Sequence, residues 1–365
     1  MRYRTASSID ANTPFKQLSH MNSNAIPDRP TSPERPPSQE RPSAQERPRV
    51  FVTRRIPDVG LRRIEAACDA IVWPDRLPPS RQQLHEAAKG CHGVVTLLSD
   101  KIDADFFDAA GPQLRVVSNY AVGVNNIDLV EAAKRGIAVG NTPDVLTDAT
   151  ADIAVALLLA AARHLKPASD EVREGRWKTW EPTGWIGADL VGRTLGIVGM
   201  GRIGAAVARR MAGGWGMKVL YTARSEKQLD GFSCTRVSLE RLLAESDFVS
   251  LHTDLNEQTR DMMGRGQFAL MKPTAVLVNT ARGGVIDQDA LADALQNGVI
   301  RAAGLDVTDP EPLPQSHRLV SLPNCIILPH IASATRDARN AMAEICADNL
   351  IAGLEGRPLR AAVKA

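Results

Sequence analysis

Three short stretches carry side chains whose types and spacing could do chemistry: VNTARGGVID, with Arg282; GLDVTDPEPLP, with Asp306 and Glu311; and CIILPHIASAT, with His330. Each begins in an apolar run and turns polar abruptly, the pattern of a buried strand ending in a loop. Open α/β sheets keep their ligands at the carboxyl ends of their strands, so these polar groups are expected along one edge. An arginine, a carboxylate and an imidazole gathered there would suit hydride transfer to a 2-oxo acid. The arginine fork would hold the acid's carboxylate and polarise its carbonyl. An imidazole, with an ordinary pKa of about 6.5, would give a proton to the developing alkoxide. Glu311 would fix the ring and favour its protonated form. Singly, each residue has a plain structural reading: a surface arginine, a turn charge beside proline, a loop histidine. Their shared position at strand ends is what joins them.

A fourth stretch offers a place for a dinucleotide. TLGIVGMGRIG sets Gly199, Gly201 and Gly204 as GxGxxG directly after an apolar run and before the helical pattern AAVARRMA. The first glycine permits the tight turn, the second lets a pyrophosphate approach, and the third lets helix pack on strand. Met200, Arg202 and Ile203 complete the cofactor turn. Where the next strand of this motif ordinarily ends in Asp or Glu, for the ribose hydroxyls, this chain has Thr222, Ala223, Arg224 and Ser225. A carboxylate there would repel a 2′-phosphate, whereas a guanidinium and two hydroxyls would bind one. NADP(H) is therefore the expected cofactor, with NAD(H) possible. The plain alternative is that Arg224 is a solvated loop charge.

Length and composition bound the class. The chain has 365 residues, 44% of them apolar, and a net charge of +2. That suits two ordinary domains and leaves no basic footprint for nucleic acid. The longest apolar run, Ile153 to Ala162, is ten residues, too short to span a bilayer. Five scattered cysteines, Cys68, Cys91, Cys234, Cys325 and Cys346, show neither CxxC nor metal spacing. They point to a reducing, cytoplasmic setting without a disulfide framework or bound metal. Residues 1–48, with DRPTSPERPPSQERPSAQERP, have almost no apolar side chains. They are predicted to be disordered and catalytically silent, and they lack the apolar core of a secretory signal.

Alternating strands and helices must position these groups. RVFVTRRIP reads as a strand, and GVVTLLS, LRVVSNYAVG and IAVGNTP alternate with helical patterns. A long helix is expected from about Thr147 to Leu165, capped by TDATAD and ended with help from Pro167. After the tryptophan-rich RWKTWEPTGWIG, a second series begins: LGIVGMG, KVLYTA, FVSLHT, AVLVNTA, AAGLDV and CIILPHI. A final helix is expected from about Ser333 to Leu354. The alternation predicts two Rossmann-like α/β halves, each a doubly wound parallel sheet.

GIVGMGRIG, NTARGGVID, GLDVTDPEPLP and LPHIASAT together resemble the D-isomer-specific 2-hydroxyacid dehydrogenases, from about residue 49 to the end. FVTRRIP, TPDVLTDATAD and VLYTAR are most similar to the glyoxylate/hydroxypyruvate reductases and the related 2-ketogluconate reductases. The resemblance implies catalytic roles for Arg282, Glu311 and His330. It implies that the backbone of Val122 and Gly123, in YAVGVNN, receives the substrate carboxylate, with Arg282 and Ser333 completing the substrate site. Asp254, Thr280, Ala281 and Asp306 would stand on the cofactor side. The substrate domain would be discontinuous, 49–147 completed by 333–365, around an NAD(P)-binding domain at 148–332. NTARGG and HIASAT differ slightly from the commoner NISRGD and HIGSAT, without touching the catalytic side chains.

The resemblance also makes Trp177, Trp180 and Trp185 part of a dimerisation arm, with Trp180 reaching the neighbouring subunit's pocket in a homodimer. The residues alone suggest core packing or an interdomain plug. The leading expectation is an NADPH-preferring reductase of small 2-oxo acids such as glyoxylate and hydroxypyruvate. The rivals are an NAD-linked dehydrogenase of another D-2-hydroxy acid, a 2-ketogluconate reductase, and a nucleotide-sensing corepressor or scaffold on the same fold. The intact trio favours an enzyme.

Overall fold

The computed structural model describes residues 47–364. The disorder expected of residues 1–48 lies outside them, except that the chain is already engaged at Pro48, whose carbonyl accepts from Asp69 N at 3.0 Å. Two parallel sheets organise the rest. The first holds β1 (Arg49–Val52), β2 (Asp69–Val72), β3 (Gly93–Thr96), β4 (Val116–Asn119) and β5 (Ala138–Gly140), in the order β2-β1-β3-β4-β5. The second holds β6 (Thr194–Val198), β7 (Lys218–Thr222), β8 (Cys234–Arg236), β9 (Phe248–Leu251), β10 (Val276–Asn279), β11 (Ala302–Leu305) and β12 (Cys325–Ile327). Its order is β12-β11-β10-β9-β6-β7-β8.

Every strand pairing is parallel. Parallel strands are covered on both faces and so read as continuous apolar runs. β3, β4, β9, β10 and β11 are buried at every residue. Between β6 and β9 the winding of the second sheet reverses, the switch point at which such sheets bind ligands.

The long helices hold these sheets from their faces. Met342, Ala343, Cys346 and Leu350, on the C-terminal helix Arg336–Leu354, share one core with Val50, Val52 and Val116 of the first sheet. Phe51, Phe106 and Phe107 fill that sheet's other face. Ala154, Leu157 and Leu158, on the helix Thr147–Ala162, pack against Leu195, Ile197, Val276 and Val278 of the second.

Several sequence expectations need correction. The helix from Thr147 ends at Ala162, not near Leu165, because His164 takes a left-handed backbone, φ 54°. Pro167 does not end it. It lies in the first turn of a new helix, Leu165–Arg173, where a missing N–H costs nothing. TDATAD does not cap through its side chains; Asp148 and Asp152 instead accept from Arg210 on the helix Arg202–Trp215. The last helix starts at Arg336, capped by Thr335, so Ser333 lies before it. Trp177, Trp180 and Trp185 are 60%, 78% and 47% exposed, which excludes core packing or a buried plug. All five cysteines are free. Among the described residues no helix is long and apolar enough to cross a membrane, and no cluster of ligating side chains could hold a metal ion.

Candidate active site

β10 runs buried to Asn279, and this asparagine shapes the loop beyond the strand. Its Nδ2 donates to Arg282 O at 2.8 Å and its Oδ1 accepts from Ala281 N at 2.9 Å. Arg282 then reaches across to the first sheet. Its Nε donates to Asn125 Oδ1 at 3.0 Å and its Nη1 to Ala281 O at 2.6 Å. A Cβ built on Gly123 would run into Arg282 Nη2, so the guanidinium rests on that α-carbon and any larger residue there would push the arginine aside. Burial lowers the arginine's pKa, opposed by the charges of Glu311 and Asp254. Arginine stays cationic through such a shift.

His330 lies just past β12, in a left-handed backbone (φ 53°) that non-glycine residues rarely adopt. Asp306, at the end of β11, holds the turn. Its carbonyl accepts from His330 N at 3.0 Å, and its buried carboxylate accepts from Ile331 N and Ala332 N at 2.8 Å each. Burial raises the Asp306 pKa despite those two bonds and the His330 charge, which lower it. The carboxylate that sequence reasoning set on the cofactor side is thus committed to the histidine's own loop.

His330 Nδ1 and Glu311 Oε2 are 2.8 Å apart, and Glu311 Oε1 accepts from Thr308 N at 3.0 Å. With Nδ1 taken, Nε2 is the ring nitrogen left to face a ligand. The two side chains are 28% and 38% exposed, so the pair stands open to an entering molecule. Burial would raise the Glu311 pKa, but it ends below its ordinary value because His330's hydrogen bond and charge, Thr308 N–H and Arg282 outweigh that effect.

Glu311→Gln should lower kcat for reduction, because the ring loses the carboxylate that orients Nδ1 and steadies the imidazole as it gives up its proton. A variant with wild-type kcat would remove Glu311 as the ring's partner.

The loop after β4 completes the arrangement. Val122 O accepts from Asn141 Nδ2, and Gly123 O from Asn119 Nδ2, both at 2.7 Å. Asn119 also donates to Asn126 Oδ1 at 3.2 Å, while Asn126 Nδ2 donates to Leu97 O at 3.0 Å and Asp100 O at 3.2 Å. Both loop carbonyls are thus turned toward asparagines. The N–H groups of Val122 and Gly123 have no acceptor among the described residues. Two free amides beside a guanidinium suit a carboxylate. Ser333 is half-buried three residues past His330, its carbonyl accepting from Thr335 N at 2.9 Å.

At the switch point, Gly199 has φ +97°, and a Cβ there would lie 2.5 Å from His252 O. A Cβ on Gly204 would meet Gly199 O at 2.2 Å, whereas one on Gly201 would meet nothing within 4 Å. The helix Arg202–Trp215 starts without a side-chain cap, leaving its first N–H groups for an anion. Met200 is buried, Ile203 half-buried, and Arg202 Nε pairs with Asp144 Oδ1 at 2.6 Å. Thr280 Oγ1, at the end of β10, is buried without a partner, a donor that a ligand could satisfy. Thr222 and Ala223 are half-buried, and Arg224, Ser225 and Asp254 exposed. An open glycine cradle, an uncapped helix start and an orphaned hydroxyl together fit a nicotinamide dinucleotide.

The asparagines escaped sequence reasoning. Asn119 and Asn279 each close an apolar strand, VVSN and VLVN, and an amide ending a buried run was the available signal. Asn125 and Asn126 stand in YAVGVNN, but their partners lie on other loops.

The family described as D-isomer specific 2-hydroxyacid dehydrogenase, NAD binding domain, matches residues 155–332. A glyoxylate reductase of Korarchaeum cryptofilum is 54% identical over 311 residues, 84% of this chain and 93% of that protein. A human glyoxylate reductase/hydroxypyruvate reductase is 45% identical over 320 residues, 87% of this chain and 98% of that one. Among solved structures, the TT0316 protein of Thermus thermophilus superposes with a TM-score of 0.81 at 46% identity, covering 87% of this chain and 100% of its own. An NADPH-dependent glyoxylate/hydroxypyruvate reductase of Sinorhizobium meliloti, solved with NADP and malonate, gives a TM-score of 0.75 at 33% identity, over 87% of this chain and 97% of its own.

Proposed function

Because this chain belongs to the D-isomer-specific 2-hydroxyacid dehydrogenases, a family of NAD(P)-dependent oxidoreductases, we propose that it reduces glyoxylate to glycolate and hydroxypyruvate to D-glycerate, preferring NADPH. The observation that carries the reading is that the Arg282 guanidinium lies on Gly123, in the loop with the free amides of Val122 and Gly123, and feels the charge of Glu311, the partner of His330. Relatives at 54% and 45% identity bearing these activities support the choice of substrates.

A nicotinamide dinucleotide, when bound, would supply the hydride that the substrate's carbonyl carbon takes up. Arg282 and the two amides hold the substrate carboxylate, and the guanidinium draws charge from the carbonyl oxygen. His330 Nε2 gives its proton to that oxygen as the hydroxyl forms, and Glu311 steadies the ring while it is charged. Gly199, Gly201, Gly204 and the helix start at Arg202 would hold the pyrophosphate. Thr280 and Ala281 would border the nicotinamide, and Thr222, Ala223, Arg224 and Ser225 the adenosine phosphate. The exposed Trp177, Trp180 and Trp185 support a homodimer in which this arm meets a second copy.

Cofactor choice rests on the end of β7, where Arg224 replaces the expected acid. Arg224→Ala should reduce the NADPH-over-NADH preference by about tenfold to a hundredfold, the range a charge-assisted hydrogen bond allows. Arg224 is exposed, which favours the lower end. The check is kcat/KM for each cofactor with glyoxylate and with hydroxypyruvate. A wild-type preference for NADH, or equal losses with both cofactors, would overturn the NADPH assignment.

A further inference from the structure

Arg236 belongs neither to the catalytic trio nor to the glycine turn. It ends β8, the edge strand of the second sheet, and lies opposite Tyr221 of β7 in parallel register. That register brings it to the same strand-end edge as Thr222, Ala223, Arg224 and Ser225. There its Nε donates to Ala223 O at 3.0 Å and its Nη2 to Arg224 O at 3.1 Å. Further along the loop, the buried Tyr221 Oη accepts from Lys227 N at 2.9 Å. The segment between is therefore tied at both ends, and the tie at 223–224 is a charged donor shared by two consecutive carbonyls.

This tie has an electrostatic consequence. A carbonyl oxygen turned toward an incoming phosphate would repel it. Arg236 draws two such oxygens to itself. The N–H groups of Ala223, Arg224 and Ser225 have no acceptor among the described residues and remain for an anion. Successive free amides of this kind form a concavity that suits phosphate.

We propose that Arg236 is a positioning residue for the cofactor's 2′-phosphate: by holding the carbonyls of Ala223 and Arg224, it presents the loop's amides and the Arg224 side chain to that group. The inference rests on the NADPH reading above and adds a residue to it. Arg236 acts through the loop, and a cofactor without the 2′-phosphate does not depend on it.

The test is equilibrium binding of NADPH and of NADH to the full-length protein, followed by fluorescence, for wild type, Arg236→Ala, Arg236→Lys and Arg224→Ala, with the Tm of each. Arg236→Ala should weaken NADPH binding about tenfold, the loss expected of one hydrogen bond to a charged group, and leave NADH binding unchanged. Arg236→Lys, which keeps the charge but cannot fork to two carbonyls, should fall between. Equal weakening of both cofactors, or a lowered Tm without loss of discrimination, would reduce Arg236 to a strut of the edge strand. If Arg224→Ala loses discrimination and Arg236→Ala does not, the bracing is wrong and the NADPH reading stands. If neither loses it, the phosphate reading falls and this inference falls with it.

Discussion

His330→Ala should lower kcat for 2-oxo acid reduction by about 10²–10⁴-fold, the range of a positioned general acid, while NADPH affinity stays unchanged. Neither charged neighbour can replace the ring as donor: Glu311 is a carboxylate held below its ordinary pKa, and Arg282 does not give up a proton. Alanine also sits poorly in the left-handed backbone at this position, φ 53°, so His330→Asn is the sharper variant. Asparagine tolerates that backbone and holds no transferable proton near neutral pH. Both variants should lose turnover alike in single-turnover measurements. If the asparagine variant keeps wild-type kcat, the alanine loss came from the backbone and the imidazole is not the donor.

Arg282→Ala should lower kcat/KM by at least about 10²–10³-fold, the scale of losing one donor that stabilises a developing oxyanion. Two effects combine here, because the same guanidinium would hold the carboxylate and polarise the carbonyl. KM should therefore rise as kcat falls. Arg282→Lys should recover little of this. An ammonium has no planar fork with which to keep Asn125 Oδ1 and Ala281 O while facing a carboxylate, and the Gly123 surface is shaped to a guanidinium. A lysine variant near wild-type kcat/KM would show that charge alone suffices and that the fork geometry is incidental.

Why Arg282, Glu311 and His330 could be picked out as candidates without coordinates, and most of the groups that position them could not, has a physical explanation. Each of the three is a polar residue following a buried strand, and a parallel sheet writes its strands as apolar runs. β10, β11 and β12 were legible for that reason, and with them the edge where the site forms. β2 and β8 were not. They are edge strands with mostly unburied side chains, DAIV and CTR, and carry no such signal. Arg236 was invisible with β8. The helix boundary at His164 and the uncapped start at Thr147 depended on one backbone angle and on Arg210, more than fifty residues away. Asn125 and Asn126 act through Arg282, Leu97 and Asp100, partners that only folding brings near. Asp306 was legible as a strand-end acid, but nothing local could say that its carboxylate turns back onto the His330 loop.

The asparagine-held loop after β4 also bears on how this catalyst can diversify. The groups there that suit a carboxylate are main-chain amides, and the side chains behind them only turn carbonyls away. Short of proline, a side-chain substitution leaves a backbone N–H in place. In the proposed reaction, the part of the demand for an acid end that rests on these amides is therefore insulated from most side-chain changes, and the part that rests on Arg282 is not. In a randomised library of this enzyme, variants would part company over the group attached to the carbonyl and keep their requirement for a 2-oxo acid. Abolishing that requirement would take loss of Arg282 itself, or of the loop's shape at Gly123 or at the asparagines, and with it the seat of Arg282.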